Sequence, residues 1–131
     1  MLKSKLPKIS EKEKEIMSVL WYSKEPLTAS AIVEKGDGLN INTVQTAMRN
    51  LLKKKYIKVA DIVYSKTVLS RCYTPLITVE QYAADQLQAM RASTLNFSTL
   101  NFIDFLLKND QSNILNELED VIKKKREEED I

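Results

Sequence analysis

Leu39-Asn40-Ile41-Asn42-Thr43-Val44-Gln45-Thr46-Ala47-Met48-Arg49-Asn50-Leu51-Leu52-Lys53-Lys54-Lys55-Tyr56-Ile57-Lys58 reads as a helix with two unlike faces running into the start of a strand. Val44, Ala47, Met48 and Leu51 recur at the helical period and form a stripe for a core. On the other side lie Asn42, Thr46, Arg49 and Lys53, flanked by Thr43, Gln45 and Asn50, all able to hydrogen-bond and none acidic. Asn40 has the side chain to cap the first turn, so the helix is expected over 41 to 54.

That polar face has the chemistry of a DNA reader. Amides such as Asn and Gln pair with adenine edges, Arg with guanine, Thr with bases or phosphates, and Lys neutralises the backbone, the role expected of Lys53, Lys54 and Lys55. Its polar residues also crowd the first two turns, the part of a recognition helix that enters the major groove. Taken alone, the same pattern describes a solvated helix face equally well.

The flanking sequence supplies context. Upstream, Ser10 and Glu13 have capping-box spacing ahead of a helix expected over 11 to 22, with Ile16, Val19 and Leu20 on one side. Glu25-Pro26-Leu27 breaks the chain, Thr28 can cap a short helix carrying Ala31 and Ile32, and Gly36-Asp37-Gly38 ends it. Downstream, Tyr56 to Tyr64 and Val68 to Tyr73 are rich in β-branched and aromatic residues and are separated by Ser65-Lys66-Thr67. They predict a hairpin whose alternation is too irregular to fix its register. Two helices, a recognition helix and a two-stranded ribbon make a winged helix-turn-helix. Lys66 would stand near the wing tip, with Lys58 and Arg71 along the ribbon, where they would meet phosphates beside the groove.

Charge divides along the same line. Residues 1–77 hold fourteen Lys and Arg against seven Asp and Glu, giving +7, and residues 78–131 hold six against eleven, giving −5, which together make the net +2. A basic half joined to an acidic half points to nucleic-acid contact by the first alone. The expected division is therefore a DNA-binding domain over 1–77 and a helical dimerisation domain over 78–131.

In that second half Thr78 and Gln81 repeat the capping-box spacing, with Ile77 and Tyr82 placed as a hydrophobic staple, and a helix is expected to about Ala92. Leu100, Ile103, Leu106 and Leu107, with Phe102 and Phe105, make a segment apolar almost all round that is expected to be buried. From Asn113 onward, Ile114, Leu115, Leu118, Val121 and Ile122 form a further stripe, ended by Lys123 to Arg126, which suit a helix C-terminus. Three short helices cannot enclose that much apolar surface by themselves, so a second copy and a symmetric dimer are expected. The fold class is mainly α with one small β-hairpin.

Enzyme chemistry finds little to work with. The chain has no His and a single Cys, Cys72, which reads as a packing residue of the ribbon. Zinc held by Cys and His is ruled out by that count, and with only Gly36 and Gly38 there is no Gly-rich phosphate loop. No catalytic residue, metal or cofactor is expected. Nor does any apolar run approach a bilayer span, and Met1 to Lys8 lacks the core of a signal peptide, so a cytoplasmic protein without membrane contact is expected.

Taken in order, these segments resemble the penicillinase and methicillin-resistance repressors of Gram-positive bacteria. Ile9-Ser10-Glu11 through Leu20-Trp21 looks like that family's first helix, Thr43-Val44-Gln45-Thr46 and Leu51-Leu52-Lys53-Lys54-Lys55-Tyr56-Ile57 like its recognition helix and exit, and Leu100-Asn101-Phe102 like the segment at which its members are cut. The resemblance implies a homodimeric transcriptional repressor on a palindromic operator, with Asn42, Thr43, Gln45, Thr46 and Arg49 on the DNA-contacting helix. It further implies a sensor-dependent protease acting at Asn101-Phe102. Members often have a basic residue where Asn42 or Gln45 stands here, and the ribbon of this chain is several residues longer than theirs. Ser-Thr-Leu-Asn-Phe occurs twice in tandem, at 93–97 and 98–102, so Asn96-Phe97 competes as the cleavage position. The alternative reading is a winged-helix module that binds protein through the same polar face without specific DNA binding.

Overall fold

The computed structural model describes residues 5–65, 67–94, 96–108 and 114–129. They form α1 (Glu11–Tyr22), α2 (Ala29–Lys35), α3 (Ile41–Lys53), β1 (Ile57–Ser65), β2 (Val68–Pro75), α4 (Val79–Ser93), α5 (Thr99–Lys108) and α6 (Ile114–Glu129). This is a winged helix-turn-helix followed by helices, as the sequence pattern predicts.

Side-chain caps fix where the helices begin. The Ser10 hydroxyl accepts the Glu13 N–H at 3.2 Å while the Glu13 carboxylate accepts the Ser10 N–H at 3.1 Å, a reciprocal capping box that starts α1. The Thr28 hydroxyl accepts the Ala31 N–H at 3.1 Å to start α2. The turn to α3 passes through Gly38 at φ +70°, where a side chain would strain the backbone. Asn40 then accepts the N–H groups of Asn42 and Thr43 at 2.8 and 3.1 Å.

The end of α3 is less conventional. Tyr56 N–H donates to the Leu51 carbonyl at 3.0 Å and Lys55 N–H to the Leu52 carbonyl at 3.1 Å, the paired bonds of a Schellman motif. Its left-handed position, normally glycine, is filled by Lys55 at φ 62°. Buried Tyr56 follows Lys55 and Leu51 precedes it by a turn, so apolar contact across the motif holds the strained residue in place.

Beyond it, β1 and β2 pair antiparallel, with Ile57 opposite Pro75 and Ser65 opposite Val68. A register shift between Val59 and Asp61 inserts Ala60 as an extra residue, which is why simple alternation could not fix the register from sequence. Leu27 adds a one-residue third strand through reciprocal bonds with Tyr73 of 3.0 and 2.8 Å.

By contacts the chain divides into two compact units, Met1–Ala92 and Ser93–Ile131. The core of the first joins Ile16, Met17 and Leu20 of α1, Ile32 of α2, Val44, Ala47, Met48 and Leu51 of α3, and Leu27, Tyr56 and Ile57. This contact division falls later than the 77/78 line drawn from charge, because α4 is fastened to the first unit. The Thr78–Gln81 capping box forms, with bonds of 2.8 and 3.0 Å. The Trp21 indole N–H donates to the Ile77 carbonyl at 2.8 Å, and the Tyr82 ring lies 5.4 Å from Trp21 and 6.4 Å from Tyr56.

In the second unit Ser98 caps α5 by accepting the Asn101 N–H at 3.1 Å, and the rings of Phe97 and Phe102 lie 6.0 Å apart. Neither α5 nor α6 contains a buried residue among those described. Burial of the segment around Asn101-Phe102 therefore does not occur within one chain, because two short helices offer too little surface to cover it. Asn113, the expected start of the last stripe, lies outside the described residues.

Candidate nucleic-acid interface

Withdrawal of Val44, Ala47, Met48 and Leu51 into the core turns the opposite side of α3 outward. Asn42, Thr43, Gln45, Thr46, Arg49 and Lys53 are all exposed. Asn42, Thr46, Arg49 and Lys53 follow one another at helical intervals, so four donors or acceptors share one face. The Arg49 guanidinium donates to the Thr46 hydroxyl at 3.3 Å, which restrains a long side chain that would otherwise lose entropy on meeting a ligand.

The hairpin forms the other wall of this surface. Between α2, α3 and β2 lies an open cleft of about 540 Å³, lined by Gln45, Met48 and Arg49 from α3, by Thr28, Ala29 and Ser30 from the start of α2, and by Val68, Leu69, Ser70, Arg71 and Tyr73 from β2. Arg49 and Arg71 thus line a single cleft with no acidic residue among its walls. Their positive charge, amide and hydroxyl groups suit phosphates and base edges together. Ser30 and Tyr73 escaped the sequence reading, since only the packing of α2 and Leu27 against the wing brings them to the cleft.

The three lysines that end α3 do not behave alike. Lys53 and Lys55 are exposed. Lys54 turns inward: its ammonium donates to the Glu13 carboxylate at 2.6 Å and to the Lys8 carbonyl at 2.8 Å. Glu13 is buried and also accepts a bond from the Asn50 amide at 3.4 Å. Burial pushes the Glu13 carboxyl up, but the Lys54 hydrogen bond and charge, with the bonds from Ser10 and Asn50, outweigh it and leave the pKa below the usual carboxylate value. Lys54 is therefore committed to holding α3 against α1. Lys66 lies outside the described residues.

The residues expected at a dimer contact lie in the second unit. Leu100, Leu106, Ile114, Leu115, Val121 and Ile122 are exposed, and Ile103, Leu107 and Leu118 are half-buried. Of the candidate cleavage residues, Asn101 and Phe102 are both helical, in α5, whereas Asn96 stands between helices at φ 67°.

No grouping of three or more His, Cys, Asp or Glu among the described residues could hold a metal ion. Likewise, no helix among them is long and apolar enough to cross a membrane.

Residues 9–124 match the profile of a family described as penicillinase repressor. Among solved structures, the chain is similar to the adhesin competence repressor (AdcR) from Streptococcus pyogenes at 14% identity, over 95% of this chain and 81% of that one, with a TM-score of 0.39. No curated protein matches it.

Proposed function

The chain belongs to the penicillinase repressor family of transcriptional regulators, and from that premise we propose that it is a homodimeric repressor of a palindromic operator. The observation that carries the reading is the exposed, acid-free face of α3 sharing a cleft with Arg71 of the wing. Asn42, Gln45, Thr46 and Arg49 read base edges in the major groove, Thr43 helps to set the helix on the backbone, and Lys53 and Lys55 bind phosphates. Lys54 serves the scaffold instead. A phosphate contact by Lys66 rests on the sequence alone.

Two copies join through the apolar sides of α5 and α6, which one chain leaves open to solvent. A dimer places two recognition helices on half-sites related by its own axis, and linkage raises the effective concentration of the second to roughly millimolar. Induction would follow from proteolysis by a sensor-dependent protease. A cut at Asn101-Phe102 first needs α5 to unwind, since proteases take extended chain. Asn96-Phe97 already stands between helices. Either cut detaches α6 from the winged helix, so the operator empties. The protein acts in the cytoplasm, where the chromosome is.

Binding to duplex DNA across a salt series tests the reading. Phosphate neutralisation releases counterions, so affinity should fall steeply with salt. Gln45→Ala should cost about 1–3 kcal/mol on a duplex selected from a random pool and little on unselected DNA. Equal losses on both would remove Gln45 from base reading, and salt-independent or absent binding would leave the winged helix as a protein-binding module.

A further inference from the structure

The segment just ahead of α1 forms no regular element, yet it is held by three other parts of the first unit. The N–H groups of Lys5 and Leu6 donate to Asp85 Oδ1 on α4, at 2.7 and 3.3 Å. The Pro7 carbonyl accepts the Tyr56 hydroxyl at 2.6 Å, and the Lys8 carbonyl accepts the Lys54 ammonium at 2.8 Å. Leu6 and Ile9 pack on the core. Burial first, then the neighbouring Tyr82, Asp85 and Glu13, raise the pKa of the Tyr56 hydroxyl, so it remains a donor. The segment is thus a strap, tied at one end to Lys54 and Tyr56 in the link between α3 and β1 and at the other to α4.

Asp85 is the α4 end of that strap, and it is only 9% exposed. A carboxylate so buried is costly unless hydrogen-bonded, and the strap supplies two backbone donors. The apolar anchors of α4, Ile77 and Tyr82, sit at its very start. Asp85 clamps the helix about one turn further along.

We propose that Asp85 is a positioning residue for operator recognition: by holding the strap it fixes the direction in which α4 leaves the winged helix, and so fixes the half-site spacing a dimer accepts. The inference rests on the dimeric repressor reading. Its lever is the length of α4, roughly 22 Å for its fifteen residues. A tilt of about 10° about the first turn would carry the far end about 4 Å, roughly one base-pair step of duplex. An untied α4 would therefore accept several spacings, each less firmly.

The test uses the full chain and a two-half-site duplex selected from a random-sequence pool by the wild type. The companion probes are its single half-site and versions with the spacer lengthened or shortened by one base pair. Wild type should lose tenfold or more in affinity on either spacer change. Asp85→Ala should bind the single half-site as wild type does, bind the selected duplex several-fold more weakly, and discriminate between spacers by less than threefold. Asp85→Asn keeps an oxygen acceptor for the strap and should restore the discrimination. Unchanged spacer selectivity in Asp85→Ala, or equal losses on half-site and full site, would overturn the inference. Hydrogen exchange in the wild type gives an arm independent of folding in the variants: the Lys5 and Leu6 amides should be protected, and free exchange of both would overturn it as well. If the wild type shows no preference for paired half-sites, it is the dimeric repressor reading that fails.

Discussion

In the first unit Ile16, Ile32, Val44 and Leu51 are wholly withdrawn from solvent, whereas in the second Leu100, Leu106 and Leu115 are 79%, 58% and 59% exposed. The two units are made of similar side chains, and the difference lies in what surrounds them. Three helices, a hairpin and a docked α4 close over the first set. Two helices cannot close over the second, so the apolar surface of α5 and α6 has the composition of a core without its other half. One unit completes its core by folding, and the other leaves its apolar residues open to solvent.

The sharpest way to break this contrast is to make one chemical change in both places. Leu51→Ala should lower the stability of the first unit by about 2–5 kcal/mol, through lost burial and a cavity, at every protein concentration. Leu118→Ala should leave that unit's thermal transition in place and act instead on assembly, so that its effect fades as concentration rises. Chemical denaturation at several concentrations, followed by sedimentation, separates the two. A concentration-independent loss for Leu118→Ala would mean that the second unit is complete by itself.

Acid should discriminate between the units next. The Glu13 carboxyl is held below its unfolded value of 4.5, so its contribution to stability is fully present above that pH and is lost as pH falls through the lowered folded value. Stability of the first unit should therefore fall on acidification below 4.5. Glu13→Gln keeps the size but not the charge facing Lys54; it should cost about 1–3 kcal/mol at neutral pH and flatten that acid slope. A variant with an undiminished slope would place the acid sensitivity elsewhere.

The smallest effect should come from Lys55→Gly. Relief of a left-handed side chain, offset by a more flexible unfolded state, should raise stability by up to about 1 kcal/mol. The same variant should weaken duplex binding without regard to sequence and reduce the salt slope by about one. A loss of stability would mean that the apolar stem of Lys55 matters more than its backbone strain.

Much of the first unit was legible because its signals are local. Both capping boxes, the Asn40 cap, the core stripe of α3 and the outward turn of its polar face all follow from residues a few positions apart. What escaped the sequence depends on distant partners. Lys54 looks like its neighbours until α1 brings Glu13 beside it, and Asp85 looks like a solvated helix residue until the strap reaches it. A Lys in a glycine position at the end of α3 also gives no sign of itself, since the hydrophobic contact across the motif overrides propensity. The apolar excess of α5 was plain in the sequence. Its exposure was not, because a pattern along the chain marks which residues are apolar and does not say whether enough neighbouring surface exists to cover them.

Trp21 is the sole tryptophan of the chain, and its indole N–H is bonded to the carbonyl just ahead of α4 with the Tyr82 ring against it. The molecule therefore carries a built-in optical gauge at the joint between the DNA-reading body and the helix that leads away from it. Tyrosine excitation transferred to that indole, and the colour of the indole emission, both report whether the joint is closed. Whether α4 moves when DNA is bound or released can thus be followed in the unlabelled protein, in real time and without altering a residue.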